Sequence, residues 1–161
     1  METMGTDERP PVGALVTELV RKPQGFNLFQ AISLLERASA HLETVGCGNG
    51  HGEAVRLSSI VSLGFQASDV SRVSASAESD GGYLLATAVM SLAGANGPLP
   101  VSFAEMVLQR TAARDHATAD FLDIFNHRFL AFLYRSRKKH HMGLIWKWPQ
   151  SSPLAACLDS L

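Results

Sequence analysis

The sequence predicts an α+β fold: a small antiparallel sheet with flanking helices, one of them long and aromatic-rich. Three observations predict it. Val55, Leu57, Val61, Leu63 and Phe65 alternate with Arg56, Ser58, Ser62 and Gly64, the period-two pattern of a half-buried strand. Asp80-Gly81-Gly82 precedes the apolar run Tyr83 to Leu92, which is a hairpin signal. Phe121, Leu122, Ile124, Phe125, Phe129, Phe132 and Leu133 recur at helical spacing. A length of 161 residues fits one domain with a core of its own.

Taken in order, residues 1–12 read as a leader ended by Pro10 and Pro11, and Val12 to Val20 as a short helix stopped near Pro23. Asn27 is placed to cap a helix, with Gln30 at its third position, and the amphipathic pattern that follows runs to about Leu42. Gly46 to Gly52, with its alternating glycines, reads as a flexible solvated loop. Its Cys47 and His51 are too few for a metal site without a partner pair. The alternating segment from Val55 to Phe65 is the first strand, and Val73, Ala75 and Ala77 suggest the second. The organisation expected is a leader and short helix over residues 1–25, an α+β domain over 26–140, and a tail over 141–161.

The stretch from 91 to 139 organises the rest. Gly94, Gly97, Pro98 and Pro100 mark a sharp, fixed turn, with Gly97 the residue expected to need a positive φ. Ser102 and Glu105 have capping-box spacing at the start of a helix to about Ala113, and Val101 is placed to staple onto Met106. Asp115 or Thr118 is expected to cap the next helix. That helix carries Asp120 and Asp123 near its start and Arg135, Arg137, Lys138 and Lys139 near its end, both favourable to the helix dipole. Its apolar positions cover too wide an arc for one packing face, so cover on more than one side is expected.

Composition excludes several classes. A formal net charge of −1 offers no global field for nucleic acid or an anionic membrane. No apolar run reaches the ~20 residues that span a bilayer, and the start lacks a signal-peptide pattern, so the expected location is cytoplasmic. Two cysteines far apart imply no disulfide framework. No nucleophile elbow, zinc-protease or phosphate-loop motif is present, so neither a catalytic site nor a cofactor or small-molecule substrate is expected. The short basic run before His140-His141 reads as a solvated helix end. Asn126-His127-Arg128 forms a polar patch on an apolar helix. It reads either as a partner contact, as a buried polar network, or as a structural histidine with its hydrogen bond satisfied. A hydrolase using His127 with Ser102 or Asp123 is the weakest reading.

At these residues the chain resembles a family. Phe26 to Glu36 is similar to an opening "F-F-Q-A-x-x-L-L-E". Ser62 to Val70 is similar to "S-L-A-F-P-A-S-E-I", with Gln66 in place of the proline. Met90 to Pro100 resembles "M-G-L-T-G-P-x-G-x-L-P", with Ser91, Ala93 and Ala95 at the Gly, Thr and Pro positions. Asp120 to Arg128 matches "D-F-L-D-x-F-N-H-R" closely. The order and spacing resemble those of the TssG subunit (the ImpH/VasB family) of the bacterial type VI secretion baseplate, over residues 26 to about 140. The resemblance implies a structural, non-enzymatic wedge component that assembles with TssF- and TssK-like subunits. It implies no nucleic acid, no membrane insertion and no cofactor. A freestanding adaptor domain is the alternative. Gly94, Gly97, Pro100, Glu105, Asp123, Phe125, Asn126, His127 and Arg128 are the residues expected to matter for fold or assembly. Family members are about twice as long, and the pattern begun at Leu154 to Leu158 does not close, so the chain is expected to correspond to an N-terminal half.

Overall fold

The computed structural model describes residues 11–48, 52–76, 81–95 and 97–145. The expected leader before Pro11, His51, Ala77, Asp80, and the tail from Trp146 lie outside the described residues. Within them the chain runs α1 (Val12–Arg21), a 3-10 turn (Pro23–Gly25), α2 (Leu28–Ala38), β1 (Val55–Ser59), β2 (Val70–Ala75), β3 (Tyr83–Thr87), α3 (Val101–Ala112), α4 (Ala117–His140) and α5 (Met142–Ile145).

The class is α+β, but the sheet is mixed rather than antiparallel. Its order is β1-β3-β2, with β2 antiparallel to β3 and β1 parallel to β3. The hairpin signal at Gly81 accounts for the first pairing. Gly81 takes φ +79, a conformation side chains disfavour. The second pairing places β1 on the far edge of β3, in register Val55 with Tyr83. Nothing in the local pattern of β1 specifies its direction relative to β3.

Strand lengths also differ from expectation. β1 ends at Ser59, and Phe65 is 92% exposed. The alternation over 61–65 belongs to a loop whose Val61 packs beside a second core cluster. α2 ends at Ala38 rather than Leu42, where Ser39 breaks the helix and donates its hydroxyl to Gly81 O at 2.6 Å. Its start is as read: Asn27 Oδ1 accepts from Phe29 N at 3.0 Å.

The main core lies between the sheet and the helices α1, α2 and the second half of α4. It includes Val16, Leu19, Ile32, Leu35, Leu57, Leu85, Leu130 and Tyr134. Residues assigned to the leader portion thus contribute to the same core as α2. The second cluster, Ala93, Ala104, Val107 and Leu122, joins α3 and the first half of α4 to the turn after β3.

α3 begins two residues earlier than the capping box predicts. Phe103 N and Ala104 N already close onto Pro100 O at 3.0 and 3.2 Å, so Pro100 is the N-cap and Ser102 sits inside the first turn. Glu105 is exposed, and Val101 and Met106 remain 56% and 37% exposed rather than stapled together. Pro100 has φ −56 and ψ 146, the non-helical backbone of an N-cap residue whose carbonyl accepts the first bonds of the helix. At the next junction Asp115 Oδ1 accepts from Ala117 N at 3.2 Å, while His116 occupies the N-cap position.

Candidate functional site

The polar patch on α4 faces inward and meets the edge of the sheet. Helix positions four apart advance ~6 Å, and strand positions two apart advance ~6.7 Å. Asp123 and His127 therefore match Ser59 and Leu57. Asp123 Oδ1 accepts from Ser59 N at 2.9 Å, and His127 Nδ1 accepts from Leu57 N at 3.1 Å. These are edge amides of β1, on the side away from β3. Unpaired edge amides invite pairing with another strand, and here helix side chains take the place of strand carbonyls. Asn126 extends the row. Its Nδ2 donates to Asp123 Oδ1 at 3.2 Å, and its Oδ1 accepts from Leu92 N at 3.2 Å, which binds α4 to the turn after β3.

His127 is buried, and its tautomer follows from its partners. Nδ1 accepts from a backbone amide, so the proton resides on Nε2. Nε2 lies 3.2 Å from Glu53 Oε2 without the alignment of a hydrogen bond. Burial pushes the imidazole below its usual value, opposed by the Glu53 carboxylate and assisted by Arg128 and Arg56. Asp123 shifts the other way: burial raises its carboxyl, with the Ser59 and Asn126 hydrogen bonds opposing.

Glu53 is the centre of a second network that the sequence did not reveal. Its side chain is wholly buried. Oε2 accepts from Gly46 N at 2.8 Å and Oε1 from Gly48 N at 3.2 Å. Gly46 takes φ +79, and a side chain there would meet Ala131 Cβ at 3.0 Å. Arg128 and Arg135 donate to Gly48 O and Gly46 O at 3.2 and 2.9 Å. The described part of the glycine-rich segment is thus a fixed turn seated on α4, not a free loop. Its backbone amides hold a carboxylate as an anion nest. The signal available was a carboxylate just beyond the glycines, but its partners are distant in sequence.

A third junction joins α2 to the end of α4. Glu36 Oε2 accepts from Tyr134 Oη at 2.8 Å and from Lys138 Nζ at 2.6 Å, while Oε1 accepts from Val45 N at 3.0 Å. Burial, then Glu36, pushes the Tyr134 hydroxyl far above its usual value. Arg137 lies over the Phe29 ring at 5.5 Å. The basic run is therefore largely engaged with the protein itself rather than simply solvated.

The turn after β3 brings Gly94 and Gly97 against backbone. A Cβ on Gly97 would stand 2.5 Å from Leu92 O and 2.8 Å from Ser91 O; on Gly94 it would stand 3.3 Å from Ser62 O. The glycines with positive φ among the described residues are Gly46, Gly52 and Gly81, so Gly97 is needed for close approach and not for φ. Met90, in the same turn, takes φ 54. A cleft of about 310 Å³ lies between this turn and the loop after β1, with Phe65 and Met90 among its lining residues.

The opposite face of α4 is apolar and open. Phe121, Ile124, Phe125, Phe129 and Phe132 are 58%, 60%, 44%, 45% and 61% exposed, and Phe121 and Phe125 meet edge to face at 5.3 Å. His127 Nδ1 is taken by Leu57 N and Nε2 lies beside Glu53, while Ser102 is exposed at the start of α3, so the two do not form a nucleophile–base pair. Among the described residues no cluster of three or more His, Cys, Asp or Glu could hold a metal, and no helix is long and apolar enough to cross a membrane.

The buried Glu53 and His127 and the half-buried Asp123 are thus engaged with the protein's own backbone, while large apolar side chains of α4 face outward. The family model for "Type VI secretion, TssG" matches residues 22–161, and the chain belongs to that family, a structural component of the type VI secretion baseplate. Neither the curated proteins nor the solved structures contain a match.

Proposed function

We propose that this chain acts as a wedge component of the baseplate, on the cytoplasmic side, by packing against TssF- and TssK-like subunits, and that it catalyses no reaction. The observation that carries the reading is the exposed apolar face of α4. Five large side chains follow one another along a helix whose other side is already committed to the core. Contiguous apolar patches of several hundred Å² mark interaction sites. Phe65, at 92% exposure beside the cleft, adds a second outward apolar anchor. Asp123, Asn126, His127, Arg128, Gly94, Gly97 and Pro100 set the pose of α4 and α3 beneath these surfaces. Glu105 is exposed and makes no contact that assigns it a part.

The test is co-purification with a TssF-like subunit from the same secretion cluster. Phe125→Glu with Phe132→Glu places two charges on the open face and none in the core. The expected result is a loss of partner recovery of roughly tenfold or more, the size expected for interface anchors, with thermal stability unchanged. Undiminished recovery would remove α4 as the docking face. Failure of the wild-type chain to recover either TssF- or TssK-like subunits would remove the wedge reading itself.

A further inference from the structure

We propose that His127 is a proton-dependent latch: with Nδ1 bare it holds the β1 edge at Leu57, and with Nδ1 protonated it releases that edge and pairs with Glu53 instead. The geometry requires the exchange. Leu57 N–H points at Nδ1 from 3.1 Å, and a proton on that nitrogen sets donor against donor. Glu53 Oε2 waits 3.2 Å from the other nitrogen, off the hydrogen-bond line, so a small ring rotation turns a poor contact into a charge-assisted one. That carboxylate also holds Gly46 N and Gly48 N, so the rotation is transmitted to the turn seated on α4.

The groups facing His127 come from each packed element. The loop before β1 supplies Glu53, β1 supplies Arg56, and α4 supplies Arg128 and, one turn earlier, Asp123. Glu53 favours the charged ring, while burial, Arg128 and Arg56 favour the neutral one, so the bare form prevails near neutrality and acid drives the exchange. The neighbouring contact of the same helix does not titrate: Asn126 Oδ1 holds Leu92 N at 3.2 Å. Release is therefore local to β1, with α4 still anchored at the turn after β3.

Labelling the full chain with ¹⁵N-leucine and ¹⁵N-histidine tests this in one sample. Near pH 7.5 His127 is expected as the Nε2–H tautomer. As the pH falls below the ordinary imidazole range, His127 protonates and the Leu57 amide loses about tenfold in protection beyond the intrinsic exchange trend. Leu92 and Leu85 do not. His127→Asn keeps an acceptor oxygen near the Nδ1 position and cannot titrate, so its Leu57 protection stays level. An Nδ1–H tautomer or an imidazolium at pH 7.5 would overturn the proposal. So would simultaneous loss of Leu57 and Leu92 protection, which is undocking of the whole helix. Should the variant fail to fold, the wild-type tautomer and the Leu57–Leu92 comparison decide alone.

Discussion

At the scale of the residue, single atoms determine two outcomes. Gly97 has carbonyl oxygens where any β-carbon would stand, and backbone does not yield as a side-chain tip does. Gly97→Ala is expected to cost about 1–3 kcal/mol, the range for forced overpacking, and to lower the melting temperature by several degrees. A melting temperature equal to wild type would show that the turn relaxes freely. His127 sets a pH dependence whose sign follows from its shift. Its folded value is below the ordinary imidazole value of about 6.5, so the unfolded chain takes up the proton first. Its contribution is whole above the unfolded value and is lost as pH falls through the folded one. Asp123 is raised above 3.8 and has the opposite sign: its contribution is whole below that value and is lost as pH rises through the folded one. Urea unfolding near pH 7.5 and pH 5.5 should show wild type losing more stability than His127→Asn. Equal losses would mean that the folded and unfolded chains take up this proton alike, and that burial does not lower the His127 imidazole.

At the scale of the element, α4 works on both its faces and α3 does not depend on the serine that announces it. Pro100 closes the first turn of α3, so Ser102→Ala should change stability by less than about 0.5 kcal/mol, the range for surface positions, instead of the ~1 kcal/mol lost with a true cap. Asp123→Ala strips the Ser59 amide and the Asn126 amide of their shared acceptor and should cost about 1–3 kcal/mol. Chemical denaturation of the two variants side by side separates them. Comparable losses would return the cap to Ser102 and demote the edge row.

At the scale of the whole molecule, the charged networks at Glu36, Glu53 and Asp123 bind α4 to α2, to the glycine turn and to β1. The helix is therefore fixed in place while its outer face stays apolar. Leaving apolar surface in water forgoes roughly 25 cal/mol per Å², so a few hundred Å² is comparable to a typical domain's net stability. Expressed without partners, the chain is expected to self-associate on size exclusion and to bind a hydrophobic dye. Phe125→Glu with Phe132→Glu should reduce both. A monomer with one reversible transition and no dye binding would show that the open face needs no cover.

The sequence by itself determined the existence of α1 to α4, the Asn27 cap, the β2–β3 hairpin and the family, while α5 (Met142–Ile145) falls in the stretch read as a tail. Each rests on neighbours within a few residues or on motif order, and local periodicity carries that information. It also marked Asp123, Asn126 and His127 as polar residues on an apolar helix, yet left partner contact and buried network undecided. Only the tertiary structure decided that they face the β1 edge, that β1 runs parallel to β3, and that Glu53 holds the glycine turn beneath α4. The physical reason is distance along the chain. The Leu57–His127 and Ser59–Asp123 bonds span 70 and 64 residues, and the parallel pairing of β1 with β3 joins segments separated by β2, which no local pattern of β1 encodes. The turn at Pro100 gives the same lesson in miniature: a capping box was legible, but a proline two residues earlier took the cap position, in a helix whose Ala104 and Val107 are buried in the second cluster.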